Sequence, residues 1–485
     1  MGLGGVSVAS DYPEVSKDEL EKILNSLKNR FQNGDYPDYK ERIDRINRLK
    51  LLVEENSEDF HKALQNDFGT RHEQLSLLSD TLPIIASAKH VSKNLSKWMK
   101  PEKRKPNFPL GLLGAKAFIH NQPYGVVGII SPWNFPLNLS LGPLVEVFAA
   151  GNNSMMKLSE FVPETSDLTE KLVKQYFKDD EVVVINGGPQ TSQSFAGLAF
   201  DHLLFTGSTH VAKKIAYEAS ENLVPLTLEL GGKSPVIVGP KAKMKKSVDK
   251  IMMGKLLNAG QICISPDYVF LPEGKENEFV EHAKSYVQES YETLKNNPDY
   301  TSIIHLNHYE RLRSYISDAK SKGAEIVEIN PANEDLAQQE HHKIPPTLIL
   351  NPTDDMEVMK NEIFGPILPV MSYKNFDETI KYVNHNPKAL ALYYFGDDAK
   401  EVDDLLNKTT SGQLVTNDVL FQFSMHDLPF GGVGPSGSGS YHGHDGYRNF
   451  SHKRAVLKGQ NIINAGKMVS APYSEKTEKN IKNLA

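Results

Sequence analysis

Two alternations of short apolar runs with stretches of helical length predict an α/β protein with two parallel-sheet domains. The first starts at Tyr124, with YGVVGIIS, NSMMKLS, EVVVING and HLLFTGS as candidate strands. The second starts after Pro240, with YVFLP, SIIHL, TLIL and ILPVMSY. Strands that alternate with helices indicate right-handed βαβ units and sheets covered on both faces. Because 485 residues are too many for one hydrophobic core, each alternation is assigned its own Rossmann-like domain.

The remaining segments are arranged around these two domains. The first hundred residues predict packing helices, and Ser16 with Glu19 forms the capping box of the first of them. The stretch at 103–122, just before the first sheet, predicts a projecting arm. We expect the two domains to meet near residues 229–240, and binding pockets favour such junctions.

The composition argues against several classes of protein. A net charge of −7, from 61 acidic and 54 basic residues, provides no basic field for nucleic acid. The first residues lack the basic and apolar regions of a signal peptide, and no apolar run reaches the roughly 18 residues that span a bilayer. A single cysteine cannot form an intramolecular disulfide. We therefore expect a cytoplasmic protein with no membrane anchor and no nucleic-acid partner.

Two matches to known motifs do not fit their surroundings. Gly432, Gly434 and Gly437 satisfy G-x-G-x-x-G, but Pro435 and the repeated Ser-Gly pairs predict a loop. A dinucleotide fingerprint needs a strand before it and a helix after it. The segment HEQLS at His72 lacks the second histidine of a zinc-protease helix. The 16 histidines otherwise show no ligand spacing, so no metal site is predicted.

Cys263, the only cysteine, is one of four residues whose types together suit one chemistry. Asn134 follows the first strand in IISPWNFP, Glu229 ends an apolar strand in LTLELGGKSP, and Glu362 lies in KNEIFGPILPV. A thiolate, an amide donor for an oxyanion and a carboxylate of raised pKa suit acyl transfer through a covalent intermediate. Taken singly, each residue has a structural alternative, as a packing thiol, a helix cap, a paired carboxylate or a turn residue.

A further group of residues predicts a nucleotide site. HLLFTGSTHVAKKI runs from a strand through Gly207 and Ser208 into a helix, whose N-terminus suits a pyrophosphate. Lys157 and Glu160 in MMKLSE follow another strand, in a position that suits ribose hydroxyls. The sequence near Cys263 lacks the histidine partner of a papain-like hydrolase. The predicted nucleotide site therefore favours a nucleotide-dependent reaction of the thiol over hydrolysis of that kind.

Seven segments, in the right order, resemble the signature segments of the NAD(P)-dependent aldehyde dehydrogenases: PWNFPLNLS, KLSE, FTGST, LELGGKSP, NAGQICISPDY, NEIFGPILPV and LPFGGVGPSGSGSYHG. SPDY and SGSGSYHG look most like the class 3 branch, which includes coniferyl and fatty aldehyde dehydrogenases. The resemblance implies an NAD-binding domain at 1–230 with an oligomerisation arm near 103–122, and a catalytic domain at 231–430. A C-terminal segment at 431–485 would return to the cofactor domain and the interface of a homodimer.

The resemblance also implies roles for the matching residues. Cys263 would be the nucleophile, Asn134 with the Cys263 backbone N–H would hold the oxyanion, and Glu229 would activate the water that hydrolyses the thioester. Glu362 would bind the nicotinamide ribose, and Ser208 the pyrophosphate. The cofactor-binding residues implied in this way are Trp133, Lys157, Glu160, Gly207, Ser208, Leu230, Glu362 and Phe364.

Two positions depart from the family pattern. Ala212 replaces a glycine of GSTxVG, and a methyl group facing the cofactor would weaken or tilt its binding. Leu158 stands where many relatives have proline.

Glu160 would accept a hydrogen bond from a ribose 2′-hydroxyl and repel a 2′-phosphate. We therefore expect NAD as the cofactor, with NADP as an alternative.

The expected activity is oxidation of an aromatic or medium- to long-chain aliphatic aldehyde to the carboxylic acid. A CoA-acylating enzyme and a catalytically silent binding protein on the same fold are the alternatives. Glu229 argues for water rather than CoA, and the presence of all four reacting groups argues against a silent protein. The aldehyde tunnel is expected to be lined by Phe135, Asn138, Phe421, Phe423 and His426, and the absence of an obvious charged group among them fits an apolar or aromatic substrate.

Overall fold

The computed structural model describes residues 12–34, 36–108, 110–459 and 465–482. Parts of the predicted segments 1–230, 103–122 and 431–485 therefore lie outside the described residues. Helices at the N-terminus pack beside the first sheet, and the first begins at the predicted cap, where Ser16 Oγ accepts from the Glu19 N–H. A π-helical turn, Leu77–Thr81, joins the last two of these helices. They are α1 (Lys17–Gln32), α2 (Tyr39–Glu55), α3 (Ser57–Phe68), α4 (Glu73–Ser76) and α5 (Leu82–Trp98).

The first parallel sheet confirms the predicted strands from Tyr124 onward. Its strand order is β15-β7-β6-β3-β4-β5, with β15 antiparallel at the edge. The chain runs outward from β3 to β5 and then crosses back to β6, so the order reverses between β3 and β6. The elements are β3 (Val126–Ile130), α6 (Asn138–Ala150), β4 (Asn153–Lys157), α7 (Pro163–Tyr176), β5 (Val182–Ile185), α8 (Pro189–Ala196), β6 (His202–Thr206), α9 (Thr209–Ser220), β7 (Leu226–Glu229) and β15 (Gly437–Ser438).

The second sheet has the order β10-β11-β12-β9-β8-β13-β14 and is parallel except for β10 at its edge. The chain enters it directly after the first sheet, and the fold class with two parallel sheets is confirmed. The elements are β8 (Pro235–Val238), α10 (Met244–Leu256), β9 (Tyr268–Pro272), α11 (Glu276–Ser290), α12 (Leu306–Ser321), β10 (Glu325–Glu328), β11 (Thr347–Leu350), α13 (Glu357–Lys360), β12 (Ile367–Tyr373), α14 (Phe376–His385), β13 (Ala391–Phe395), α15 (Ala399–Lys408) and β14 (Gln413–Thr416).

A small antiparallel sheet of three strands contains both ends of the predicted arm. Its order is β1-β2-β16, and β2 pairs with β16 from the Pro123–Ser451 pair to the Lys116–Lys458 pair. The C-terminal part of the chain therefore returns to the residues that precede the first sheet. The elements are β1 (Glu102–Arg104), β2 (Lys116–Pro123), α16 (Gly443–Asn449), β16 (Ser451–Lys458) and α17 (Glu475–Lys482).

Helix α6 is the central helix of the molecule, and every residue from Asn138 to Ala150 is buried. Its sequence, NLSLGPLVEVFAA, is apolar on nearly all sides, which is typical of a helix enclosed by other elements. It packs against α2, α5 and α16. Two polar side chains of this helix, Asn138 and Glu146, are therefore held inside the protein.

The carboxyl edge of the first sheet lies near the amino edge of the second. In the first sheet, Lys157 and Glu229 end β4 and β7, and Asn134 and Ser208 follow β3 and β6. In the second sheet, Cys263 and Glu362 precede the neighbouring strands β9 and β12 and so belong to its amino edge. In open α/β sheets, ligands bind outside the carboxyl ends of the strands, where the strand order reverses.

Candidate active site

Cys263 lies in a loop that follows a tight turn, Leu257–Gly260, and leads into β9. Asn258 and Ala259 in this turn both have a φ of 51°, in the left-handed region that favours glycine, and both are buried. Gly260 also has a positive φ, and a Cβ at this position would lie 2.4 Å from the carbonyl oxygen of Gly365. The loop of Cys263 is therefore held in a strained form against the loop that contains Phe364.

Gln261 fixes the other side of the loop. Its side-chain Nε2 donates to the carbonyls of Asn258 and Ser302, both at 3.0 Å, and its Oε1 accepts from the Ile304 N–H at 3.1 Å. The prediction of a strand at SIIHL, residues 302–306, is wrong. The segment is irregular up to Leu306, where α12 begins, and its backbone bonds to the Gln261 side chain and to the carbonyls of Thr70 and His342 instead of to a neighbouring strand.

Asn134 contacts this loop directly. Its Nδ2 donates to the carbonyl of Gln261 at 3.1 Å, two residues before Cys263, and the side-chain amide has a second N–H that this bond does not use. The backbone carbonyl of Asn134 accepts a hydrogen bond from Arg71 Nη1 at 2.7 Å. Arg71 forms a salt bridge with Asp80, and both side chains are fully buried. This ion pair holds the Asn134 segment, and the sequence analysis missed it.

Glu229 is buried and unpaired at the end of β7. It is 2% exposed, and neither carboxylate oxygen has a hydrogen-bond partner among the described residues. Burial raises the pKa of Glu229 well above its ordinary value. A carboxylate in this state has the proton affinity that a general base needs near neutral pH.

Glu362 lies against the turn that connects the two sheets. A Cβ on Gly231 would lie only 2.1 Å from Glu362 Oε1, so only glycine leaves room for the carboxylate here. Burial, and then the charge of Asp267, raise the pKa of Glu362 to about 8, while the Gly232 backbone N–H opposes this shift.

The Cys263 thiol lies within electrostatic reach of both carboxylates. Part of its surface is exposed, although the residue lies deep in the protein. Burial, followed by the charges of Glu362 and Glu229, raises the pKa of the Cys263 thiol to about 12. The structure thus brings together the four residues that the sequence analysis selected for their chemistry.

The candidate nucleotide residues lie along the carboxyl edge of the first sheet. Lys157 ends β4, and its Nζ donates to the Leu158 carbonyl at 2.6 Å and lies 3.7 Å from Glu160 Oε2. Ser208 follows β6 and caps α9, where its Oγ accepts from the Val211 N–H. Ser208 is exposed, so the first turn of α9 is open to an anion.

Trp133 and Phe364 meet between the two sheets. Their ring centroids are 5.4 Å apart in an edge-to-face arrangement, and Phe364 has a φ of 53°. Leu230, by contrast, is buried in the hydrophobic core, and its backbone N–H donates to the Ser436 carbonyl at 3.1 Å.

The two departures from the family pattern have local explanations. Ala212 is 2% exposed and packs in the core together with Ile215, so its methyl group points away from the solvent side of α9. The expectation of a methyl group facing the cofactor is therefore wrong. Leu158 donates its N–H to the Ile185 carbonyl, a bond that a proline would lack.

A cavity of about 210 Å³ lies beside α6. Three of the residues expected to line the aldehyde tunnel, Asn138, Phe423 and His426, line this cavity. Phe135 instead packs against the Arg71 guanidinium, and Phe421 is exposed. The wall of this cavity also contains Glu146, which is not among the residues expected to line the tunnel.

The model of the family described as "Aldehyde dehydrogenase family" matches residues 6–456. This chain belongs to the aldehyde dehydrogenase family. It is 50% identical, over 93% of each chain, to a probable coniferyl aldehyde dehydrogenase of Caulobacter vibrioides. It is 44% identical to the coniferyl aldehyde dehydrogenase of a Pseudomonas species, strain HR199, over 98% of this chain and 96% of the relative.

A solved structure supports the same assignment. The substrate-bound Staphylococcus aureus AldH is 33% identical, has a TM-score of 0.90, and covers 96% of this chain and 99% of its own. Family 3 aldehyde dehydrogenases of mammals are also among the relatives, which confirms the predicted class 3 branch. The chain is therefore an aldehyde dehydrogenase, and the predicted NAD(P)-dependent aldehyde oxidation is confirmed. Within the described part of the chain, no helix is long and apolar enough to cross a membrane.

Proposed function

We propose that Cys263 is the nucleophile of an aldehyde oxidation in which Asn134 and Glu229 take part directly. The observation that carries the proposal is that the only cysteine lies within electrostatic reach of two buried carboxylates, beside an amide with a free N–H. Cys263 attacks the aldehyde carbon to form a thiohemiacetal. The Asn134 amide and the Cys263 backbone N–H then bind the oxyanion.

Glu229 acts in the second half of the reaction. Its carboxylate removes a proton from the water that attacks the thioester on Cys263, which releases the acid and restores the thiol. Burial raises the pKa of Glu229, which makes its carboxylate a stronger base toward that water.

We propose NAD as the cofactor, in preference to NADP. When bound, the cofactor supplies the hydride acceptor that converts the thiohemiacetal to the thioester. The open first turn of α9 at Ser208 suits the pyrophosphate, and the buried Lys157 beside Glu160 suits the hydroxyls of the adenosine ribose. Gly207 precedes the cap of α9, and Trp133, Phe364 and Leu230 would line the nicotinamide half of the bound cofactor. Glu362 binds the nicotinamide ribose.

The substrate class follows from the cavity and from the named relatives. The cavity has apolar and aromatic walls, including Leu78, Leu82 and Phe423. Two relatives, at 50% and 44% identity, carry the name of coniferyl aldehyde, an aromatic aldehyde. We therefore propose that the chain oxidises aromatic aldehydes, with medium- to long-chain aliphatic aldehydes as the second candidate class.

We further propose that residues 1–230 bind the cofactor, that 231–430 form the catalytic domain and that 431–485 complete the first of these. The three-stranded sheet is the proposed contact in a homodimer, because Phe108, Leu112 and Leu457 expose large apolar side chains there. A cytoplasmic location suits the single cysteine. Light scattering of the purified chain, with Leu457→Lys as the disrupting variant, tests the dimer.

The activity is tested by NADH formation at 340 nm with cinnamaldehyde, benzaldehyde, hexanal and decanal, each with NAD and with NADP. Wild-type protein is expected to prefer the aromatic aldehydes and NAD, and Cys263→Ser is expected to form no NADH. Turnover by Cys263→Ser would contradict the role of the thiol. Faster turnover of decanal than of cinnamaldehyde would favour the aliphatic class.

A further inference from the structure

The cavity beside α6 has a polar end that the proposed reaction does not use. Asn138, Gly142 and Glu146 line it from α6, at successive steps of four residues. Asn138 begins α6, four residues after Asn134 in the sequence, so it marks the end of the cavity nearer the reacting groups. Glu146 lies about 12 Å further along the helix axis than Asn138.

Tyr441 connects the cavity with the reacting groups. It lines the cavity, and its hydroxyl is buried without a hydrogen-bond partner in the described ranges. Burial, followed by the charges of Glu229 and Cys263, raises the pKa of this hydroxyl, and Glu146 contributes to the same shift. One side chain thus lies within electrostatic reach of the thiol and of the far end of the cavity.

One oxygen of Glu146 is held by the protein and the other is not. Oε1 accepts from Ser87 Oγ at 3.0 Å and from the Gly443 N–H at 3.3 Å. Oε2 is buried and has no partner among the residues that the structure describes. The residue is 1% exposed, so solvent at the surface does not satisfy this oxygen. A buried polar atom without a partner destabilises the folded protein, unless a ligand or a trapped water binds it.

Two hydrogen bonds hold Oε1, one from a side chain and one from the backbone. Ser87 comes from α5 and Gly443 begins α16, so the carboxyl is held from two helices. Leu78, Leu82 and Pro83 form an apolar part of the cavity lining, and Glu146 lines the same cavity. An aryl ring against these apolar side chains would have its far substituent available to Glu146.

We propose that Glu146 is the specificity-determining residue of the aldehyde site, and that Oε2 accepts a hydrogen bond from a hydroxyl group at the end of the substrate remote from the aldehyde. This inference rests on the proposed function and narrows its substrate class to aromatic aldehydes with a hydroxyl in the para position, such as 4-hydroxycinnamaldehyde. A site built to pair with a hydroxyl discriminates against the analogue that lacks it, because the buried acceptor is then left unpaired.

The test compares 4-hydroxycinnamaldehyde with cinnamaldehyde as substrates of the full-length protein. Burial raises the pKa of Glu146 to about 7, so the assay is run at pH 8, where the carboxylate form that accepts a hydrogen bond predominates. Wild type is expected to favour the hydroxylated aldehyde in kcat/KM by about 10-fold. Glu146→Leu removes the acceptor at similar volume and is expected to abolish this preference. Glu146→Gln keeps the shape and is expected to reduce it, because one of its two positions becomes a donor.

Ser87→Ala is the matched control. It removes a hydrogen bond to the held oxygen Oε1 but leaves Oε2 in place, so the preference is expected to persist. If Glu146 only fastens the helices, all three variants will change both aldehydes equally. That result, or an unchanged preference in a folded Glu146→Leu, would overturn the inference.

A binding measurement separates this inference from the proposed function. Calorimetric titration with 4-hydroxycinnamate and cinnamate, the corresponding acids, needs no turnover. If wild type forms no NADH with any aldehyde, the proposed function fails. The hydroxyl site is still supported if wild type binds 4-hydroxycinnamate more tightly than cinnamate and Glu146→Leu binds the two acids equally. If NADH forms but neither the kinetic nor the Kd ratio responds to Glu146, the inference fails alone.

Discussion

The side-chain amide of Asn134 donates to the backbone carbonyl of Gln261 at 3.1 Å, and so joins the loop after β3 to the loop of Cys263. The two residues are 127 positions apart in the sequence and belong to segments beside different sheets. One N–H of the amide fixes the distance between the loops, and the other remains for an oxyanion. The same side chain thus aligns the thiol loop and provides a donor.

Removal of this amide is expected to affect catalysis far more than folding. Asn134→Ala should lower kcat by about 10²–10³, the usual effect of losing one oxyanion donor. The loss of the bond to Gln261 should lower the free energy of unfolding by only about 1 kcal/mol. Steady-state kinetics and urea denaturation check both values. Asn134→Asp, which accepts but cannot donate when ionised, should be equally slow, and full activity in either variant would contradict the role.

The reactivity of Cys263 is expected to keep rising with pH. The thiolate is the nucleophile, and burial together with Glu362 and Glu229 raises the thiol pKa to about 12. The thiolate fraction therefore increases throughout the range below that value. The rate of alkylation by iodoacetamide should rise at least about tenfold between pH 7 and 9, with no plateau. Protein mass spectrometry measures the rate, with glutathione in the same buffers as the reference.

The charge of Glu362 should contribute to this behaviour. Glu362→Gln cannot ionise, so the variant should be alkylated faster than wild type at pH 9, where the wild-type carboxylate is charged. A plateau below pH 8 in wild type, or equal rates in the two proteins, would argue against the electrostatic account.

Gly231 is expected to be required for the position of the Glu362 carboxylate. The Cβ of Gly231→Ala would lie 2.1 Å from Oε1, and the end of a flexible side chain moves before backbone does. The variant should fold but raise KM for NAD and lower kcat, each by about tenfold, through a misplaced cofactor. Gly197→Ala is the control, because its Cβ would meet no atom closer than 3.7 Å. Wild-type kinetics in a folded Gly231→Ala would contradict this prediction.

The preference for NAD is expected to depend on Glu160. Its carboxylate lies 3.7 Å from Lys157 Nζ, where it would repel a 2′-phosphate. Glu160→Gln should raise kcat/KM for NADP relative to NAD by about tenfold. Glu164→Gln is the matched control, because Glu164 lies in the first turn of α7 and accepts a hydrogen bond from Asn66 on the exposed side. An equal change of this ratio in both variants would show that it follows from the loss of any negative charge in this region, and would contradict a specific role of Glu160.

The sequence predicts the parts of this fold that depend on local pattern. Buried β-branched runs identify the strands of both sheets, because parallel strands covered on two faces are apolar along their whole length. The run at 302–306 has the same pattern but does not form a strand. The side chain of Gln261, 41 residues earlier, donates a hydrogen bond to the backbone carbonyl of Ser302. The strand pair of β2 and β16 joins residues more than 300 positions apart, which no local signal indicates.

The candidate site shows the same limit. Residue types selected Cys263 and Glu229, because a lone thiol and a carboxylate within an apolar strand are unusual. Arg71 and Asp80 carried no such signal, since single charged residues in helical segments are ordinary. The carboxylate of Glu146 in the apolar run LVEVFAA was a signal of the same kind as Glu229, and it was overlooked.

In the proposed reaction, Cys263 bonds to the aldehyde carbon, and a water activated by Glu229 releases the acid. The most direct test is the mass of Glu229→Gln after reaction with cinnamaldehyde and NAD and an acid quench. The account predicts one equivalent of NADH, no further turnover, and a cinnamoyl adduct on the peptide that contains Cys263. Steady turnover without an adduct, or an adduct on another residue, would contradict the account.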